Sequence, residues 1–279
     1  MSKTILITGG RGFIGSYLAT HYRNQYTVLA PQRSRLDFTN AASVDSFFDT
    51  NKVDVVIHTA LVGRNNINGV DHAQAQQNIE MFVNIWRNRH KFEQLINMGT
   101  GNEFDTTKDL LNCPEDTLFD RIPSSSYGYA KNIIARICRE TDNFTNLRIF
   151  GMFHHTEKAE RFFKKLFLAT PETPLSIWQD CYFDFFNLED FPAVIDTVLD
   201  RRCSFNDMNV VYPEKYLFSE LAHQFLAAHG KDSACVRVEA SGGNSFSGSS
   251  ERLDSLGLTF KGLTTGFEKY IAEVPYQHV

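Results

Sequence analysis

Nowhere in the sequence do about eighteen apolar residues run together, the least a helical membrane span requires. The first apolar run, Ile5-Leu6-Ile7 behind Lys3, is interrupted by glycines and is too short for a secretory signal. A cytoplasmic protein with no membrane partner is therefore expected. Cysteine is scarce and scattered: the five residues, at 113, 138, 181, 203 and 235, form no CxxC pair and no Cys/His ligand spacing. That pattern excludes a disulfide framework and a structural zinc, and no metal is expected. Neither charge dominates, since 28 Lys and Arg stand against 33 Asp and Glu for a formal net charge of −5. A surface of mixed sign argues against nucleic acid as a partner. A small anionic ligand would need a local positive site. No internal repeat of fixed period is present.

What the chain does have is length and alternation. Its 279 residues suffice for one large domain or two modest ones, and 24 Phe supply ample core material. Apolar runs at 4–9, 26–31, 53–60, 94–100 and 146–153 read as strands. Between them, stretches at 11–25, 41–51 and 76–92, and one opening near Tyr127, carry helical spacing. Strand–helix alternation of this kind predicts an α/β fold, a Rossmann-type doubly wound parallel sheet covered on both faces. Beyond about residue 150 the pattern loosens: helices at 160–170, 188–202 and 219–230 and a strand at 181–188 are expected. The run SGGNSFSGSS (241–250) reads by composition as a mobile loop that could order on binding. We expect a dinucleotide-binding domain over 1–150. Residues 151–279 should form a smaller α/β substrate-binding region, with some elements returning to the first domain.

The first strand runs into TGGRGFIGS, where Gly9, Gly12 and Gly15 stand between a predicted strand and a predicted helix. Missing side chains let the backbone turn tightly and approach a pyrophosphate, whose charge meets the helix N-terminus. Phe13 and Ile14 open that helix inside the same cradle. After the second strand comes PQRSRLD, with Arg33 and Arg35 but no acid before Asp37. An acid at that place would bond the ribose 2′-hydroxyl of NAD, whereas an arginine accommodates the extra phosphate of NADP. Arg33 is the candidate for that phosphate, with Asp37 beside the same ribose, and NADP is the expected cofactor.

Residues 126–136 read SYGYAKNIIAR, with Tyr127 and Lys131 four apart on one helix face. Taken alone the pair could be a helix surface. Ser124, Ser125 and Ser126 precede the helix and should include its N-cap. His58, in an apolar strand, reads as a hydrogen-bonded core histidine, and Arg136, Arg139 and Arg148 as helix-surface and strand-end residues.

With the glycine loop at residue 9 and YxxxK near residue 130, the chain resembles the extended, nucleotide-sugar-modifying branch of the short-chain dehydrogenase/reductase superfamily, the NAD-dependent epimerase/dehydratase family. HTA (58–60), Asn78 at the head of a helical run, and FFNLED (185–190), a diverged aromatic–Val–Asp–Asp stretch, fit that branch. RSRLDFTNAASVDSFFDTNKVDVVIHTALVG is most similar to the GDP-L-fucose synthase family. The resemblance implies Tyr127 as proton donor and acceptor, with Lys131 lowering its pKa and holding the nicotinamide ribose. It puts Ala60 and Asn78 beside the cofactor. The family's Ser-Ser-x-x-x-Tyr stretch falls on GTGNEF (99–104), which makes Thr100 the hydroxyl that polarises the substrate oxygen and sets Phe104 where the family has tyrosine. The fucose synthases' acid–base cysteine position is Asn102 and their histidine position falls near Lys158, so neither proton-moving partner is kept. An arginine that holds the substrate diphosphate is replaced by Phe183. Asn102, His154 and Arg252 are the remaining substrate-side candidates.

The expected activity is NADP-dependent reduction of a 4-keto nucleotide-linked deoxysugar for surface polysaccharide such as lipopolysaccharide, by a homodimer. The alternatives are an NAD-retaining epimerase or dehydratase of the same fold, or, from another class, a catalytically silent NADP-binding regulator.

Overall fold

A computed structural model describes residues 3–63 and 71–272. In chain order its longer elements are β1 (Thr4–Thr8), α1 (Phe13–Tyr22), β2 (Thr27–Leu29), α2 (Ala41–Thr50), β3 (Val55–His58), α3 (His72–Arg87), β4 (Gln94–Thr100), β5 (Leu110–Cys113), α4 (Ser126–Arg139) and β6 (Phe144–Ile149). There follow β7 (Met152–Phe153), α5 (Phe162–Leu168), β8 (Leu175–Ile177), β9 (Phe186–Asn187), α6 (Phe191–Leu199), β10 (Asp207–Val210), α7 (Phe218–Ala228), β11 (Val236–Val238), β12 (Phe246–Gly248), α8 (Glu251–Asp254) and α9 (Gly262–Ala272). The chain divides into two compact units, each discontinuous in sequence. One comprises 1–107, 115–148 and 195–209; the other comprises 108–114, 149–194 and 210–279.

The first unit holds a six-stranded parallel sheet in the order β10-β6-β4-β3-β1-β2. Strand order reverses at β1, which pairs with β2 on one side and β3 on the other. The crevice at such a reversal, at the carboxyl ends of the strands, is where doubly wound sheets bind ligands. Ile5, Leu6, Ile7, Val55, Val56, Ile57, Leu95 and Ile96 are all fully buried, so the central strands are covered on both faces. On one face Leu6, Val56 and Leu95 join Val44 and Phe48 of α2, Phe82 and Ile85 of α3, and Ile134 and Cys138 of α4 in one core. α1 and α6 are tied by the Tyr22 hydroxyl, which donates to Asp196 at 2.9 Å. Three helices start on side-chain caps that satisfy otherwise orphaned amides: Asn40 accepts from the Ser43 amide, Asp71 from that of Gln74, and Ser125 from that of Gly128.

The second unit is organised around Phe153, Phe163, Phe185, Phe225 and Phe267, packed with Leu166, Leu221 and Tyr270. The same unit holds three two-stranded parallel pairs, β7–β9, β8–β11 and β5–β12.

Three expectations are corrected here. The run 146–153 is two strands, not one: β6 stays in the large sheet, and after Gly151 the chain pairs Met152 with Phe186 in the second unit. A Cβ at Gly151 would stand 2.8 Å from the Asp184 carbonyl, so glycine permits this close passage. The strand anticipated over 181–188 shrinks to Phe186–Asn187, flanked by isolated bridges at Tyr182 and Phe183. The serine-rich run is no loop over its second half. Residues 246–248 form β12, and Ser245, Ser247, Ser249 and Ser250 are buried, because Asp184 accepts the Gly248 amide and the Ser247 hydroxyl accepts the Asn112 amide.

Candidate active site

The glycine loop leaves β1 directly. Gly9 adopts φ +67°, and a Cβ there would lie 2.8 Å from Ala60 backbone atoms. A Cβ on Gly15 would meet the Gly9 carbonyl at 2.4 Å and the Thr59 hydroxyl at 2.6 Å, and one on Gly10 would meet the Ala30 methyl at 2.7 Å. The loop is thus pressed between the ends of β1, β2 and β3 with no room for side chains. Gly12 caps α1 without a side chain, and no acid occupies the helix's first turn, where half-buried Phe13 and Ile14 follow. A helix N-terminus with no acid, behind a glycine loop without side chains, fits a dinucleotide phosphate.

One hydroxyl holds this cradle. Thr8 Oγ1 accepts the Thr59 and Ala60 amides, both at 3.1 Å, and stands 2.9 Å from His58 Nδ1. With two donors already on the oxygen, its own proton points to Nδ1, which fixes His58 as the Nε2–H tautomer. Burial, aided by the Lys131 charge, pushes the His58 pKa down to about 3, so the ring is neutral. His58 is the core histidine expected. Beyond Ala60, Asn78 accepts the Val62 amide and donates to the Val62 and Gln74 carbonyls, all within 2.9 Å. Its amide therefore holds the loop after β3.

Beyond β2, Arg33 is exposed and its Nε lies 3.2 Å from Asp37 Oδ2. Asp37 also accepts the amide and hydroxyl of Thr39. The Thr39 amide, chief among these contacts, holds its pKa below the usual carboxylate range despite opposition from burial.

Thr100 ends β4 and caps the short turn Gly101–Glu103. Its Oγ1 accepts from the Asn102 amide and side chain, both at 3.3 Å, while its own amide donates to Glu103 Oε1 at 3.0 Å. Half-buried Tyr127 lies in the first turn of α4. Next to it a Cβ on Gly128 would come 2.4 Å from the Asn102 carbonyl, so that turn of α4 lies directly on the turn carrying Thr100. Lys131, one helical turn further on, is buried, and its ammonium donates to the Met98 carbonyl of β4 at 2.9 Å. Burial lowers its pKa, and the charge of Glu103 opposes that shift.

Behind Thr100 lies a polar cluster that the sequence reading missed. Glu103 is fully buried, and its Oε2 accepts from Arg148 Nε at 2.8 Å and Asn146 Nδ2 at 2.9 Å. Arg148 is corrected from a strand-end residue to one of the largest fully buried side chains among the described residues. It donates further to Asn209 at 2.9 Å and Asp207 at 3.0 Å, and stands over the Phe104 ring. Burial pushes the Glu103 carboxyl up, whereas Arg148 and Lys131 pull it back. Three N–H donors converge on its oxygens and suit a carboxylate. Two sequence signals pointed here: the T-x-x-E spacing of a capping box at 100–103, and Asn146 and Arg148 two apart on one strand face.

In the second unit His154 is buried, 2.8 Å from the Thr156 hydroxyl and packed on His155, with burial pushing its pKa down to about 4. Arg252 is half-buried in α8, and Lys158 is exposed. Phe183 packs among Phe185, Phe218 and Phe246, with ring centroids 4.6–5.2 Å apart.

A strand-order reversal, a side-chain-free glycine loop at a helix N-terminus and a Tyr–Lys helix lying on a Thr-bearing strand end mark an α/β protein of the short-chain dehydrogenase/reductase kind. Residues 5–210 match the NAD dependent epimerase/dehydratase family, and the chain belongs to it. It is 29% identical over 157 residues to the GDP-L-fucose synthase of Azorhizobium caulinodans, a match that spans 52% of this chain and 48%, about half, of that protein. Among solved structures it resembles the GDP-mannoheptose C4 reductase from Campylobacter jejuni with NADP bound, with TM-score 0.80 and 19% identity over 96% of this chain and 97% of that one. It also resembles the Bordetella bronchiseptica enzyme WbmG in complex with NAD and UDP, with TM-score 0.78 and 21% identity over 96% and 94% of the two chains. No described helix is long and apolar enough to cross a membrane.

Proposed function

We propose that the protein is an NADP-dependent reductase of the 4-keto group of a nucleotide-linked deoxysugar, working in the cytoplasm in the synthesis of a surface polysaccharide. The observation that supports this reading is the packing of α4 on the Thr100 turn at Gly128, the neighbour of Tyr127. The first unit, on this reading, serves the cofactor, and the second offers His154 and Arg252 as substrate-side candidates.

NADPH, when bound, supplies the hydride. Gly9, Gly12 and Gly15 would admit its pyrophosphate to the N-terminus of α1, and Arg33 would pair with its 2′-phosphate. The Thr100 hydroxyl would hold the ketone oxygen and Tyr127 would deliver a proton to it. A free tyrosine ionises near pH 10; the Lys131 ammonium favours the phenolate left behind and so eases the transfer. Asn102 and Lys158 offer no cysteine–histidine pair to exchange protons at the flanking carbons. That favours simple reduction over inversion.

The Arg33–Asp37 pair gives the second reading its support. An acid beside the same ribose suits NAD, and an enzyme that keeps NAD bound would epimerise or dehydrate the sugar. The assembly in this reading is a homodimer.

The deciding experiment offers GDP-, UDP- and dTDP-linked 4-keto-6-deoxyhexoses with NADPH in heavy water and reads the products by NMR. A 4-hydroxy product with unlabelled, uninverted neighbouring carbons supports the reductase. Deuterium at those carbons with inverted configuration would establish the epimerase instead.

A further inference from the structure

Asn132 stands in the middle of α4, directly after Lys131, and is buried. Asparagine is unfavourable there, because its short amide competes for backbone partners and an apolar residue would pack without that conflict. Its bonds show what it holds. Nδ2 donates to the Glu103 carbonyl at 2.9 Å and to the Leu118 carbonyl at 3.4 Å, and Oδ1 accepts from Arg136 Nε at 3.0 Å. Carbonyls only accept and a guanidinium only donates, so the amide has one orientation. Arg136 in turn stacks on Phe119, 4.1 Å from the ring centroid, and braces Asn132 against the segment that carries Leu118.

The Glu103 carbonyl ends the short turn that Thr100 caps. That turn is closed on itself: Glu103 Oε1 accepts the Thr100 amide at 3.0 Å, and the Gly101 carbonyl accepts the Phe104 amide at 3.1 Å. It therefore moves against α4 as one piece, and two contacts one helical turn apart set its place. At Gly128 the Asn102 carbonyl comes so close that no Cβ would fit, which limits the approach. At Asn132, four residues on and on the same helix face, the amide draws the end of the turn in. Tyr127 and Lys131 each precede one of these two residues, and Lys131 reaches the Met98 carbonyl two residues before Thr100. We propose that Asn132 is a positioning residue: its amide fixes where along α4 the Thr100 turn sits. On the reading above, in which the Tyr127 and Thr100 hydroxyls act on one ketone oxygen, it thereby sets their separation.

The test begins with amide hydrogen exchange of the full-length protein, without cofactor or substrate, read by mass spectrometry. Asn132→Leu fills the same space but withdraws the donor. Exchange over 98–107 should rise by about tenfold or more, equivalent to about 1.4 kcal/mol, while 4–22 keeps the wild-type rate. Should Asn132→Leu not fold, Arg136→Met, a change at an exposed residue, frees Asn132 Oδ1 and should raise exchange in the same segment by a smaller factor. Unchanged exchange over 98–107, or an equal rise over 4–22, overturns the proposal. Steady-state kinetics with NADPH and a GDP-linked 4-keto-6-deoxyhexose then separate positioning from packing. Misplacing a reacting group by about 1 Å costs about a hundredfold, so kcat should fall on that order in Asn132→Leu with KM for both substrates unchanged. A kcat that survives the substitution in an active enzyme also overturns the proposal. A wild type that reduces no GDP-, UDP- or dTDP-linked 4-keto sugar overturns the reductase reading instead, and the exchange result alone then decides whether Asn132 places the turn.

Discussion

The Thr8 hydroxyl and His58 Nδ1, 2.9 Å apart at the ends of adjacent strands, hold each other in one protonation state. Thr8 can bind the Thr59 and Ala60 amides only while its proton is taken by a neutral imidazole. The cradle that the two strands build is therefore tied to a histidine that must stay uncharged.

Acid should destabilise the fold through this pair. His58 ionises near pH 3 in the folded protein and near 6.5 unfolded. Above pH 6.5 both states are neutral and the difference is nil. As pH falls from 6.5 toward 3, the unfolded chain binds a proton that the folded one refuses, and stability falls by up to about 1.4 kcal/mol per pH unit. Urea midpoints at pH 7 and pH 5 should differ by the equivalent of about 2 kcal/mol from this residue, and buried His154 adds in the same direction. His58→Asn should show a shallower acid loss. Equal acid losses in the two proteins would refute the assignment.

Gly15→Ala should abolish cofactor binding while costing about 1–3 kcal/mol of stability, the usual range for overpacking. The added methyl collides with the Gly9 carbonyl, which belongs to the loop that must admit the pyrophosphate. Nucleotide affinity by fluorescence and a denaturant curve together check it. Retained affinity would mean that the loop binds no phosphate.

Tyr127→Phe should leave NADPH affinity close to wild type and cut turnover by about a hundredfold or more, the usual share of a positioned acid. Single-turnover kinetics on the sugar nucleotide identified by NMR provide the measurement. Full activity in Tyr127→Phe would return this residue to the helix surface.

Arg33→Ala should weaken NADPH binding by about tenfold or more, since a charge-assisted contact contributes about 1.5–3 kcal/mol, and leave NADH binding unaltered. Asp37→Ala should shift preference the opposite way, because it frees Arg33 from its present partner. Calorimetric titration of both nucleotides decides. An unchanged NADPH/NADH ratio in Arg33→Ala would favour the NAD-retaining reading.

Removing Arg148 should be among the most damaging single changes. Arg148→Met leaves Glu103 and Asp207 buried without their cation, a loss of about 3–5 kcal/mol. Thermal unfolding measures it directly.

Local pattern made the large sheet legible. β4 runs from Gln94 to Thr100 as its apolar run did, and the strand–glycine–helix start gave β1 and α1 with their function implied. The second unit was far less readable, because its strands are two to four residues long and pair across distant segments. β5 and β12, for example, lie more than a hundred residues apart, and a serine-rich strand carries no apolar alternation to announce itself. In the candidate site, Tyr127, Lys131 and Thr100 were proposed because their spacing matches a family pattern. Arg148 was not, since its burial depends on Asp207 and Asn209, whose proximity only the sheet order creates.

That dependence has a consequence during synthesis. The amino-terminal portion of the chain leaves the ribosome with Arg148 already in place on β6, but β10 is still some sixty residues away. Until Asp207 and Asn209 emerge, the sheet has an open edge beside β6, and the guanidinium must remain hydrated instead of buried. The sheet cannot close on itself early, so a nascent chain halted near residue 150 is a natural client for chaperones. A polypeptide truncated there should be recovered as aggregate, not as a working nucleotide-binding module.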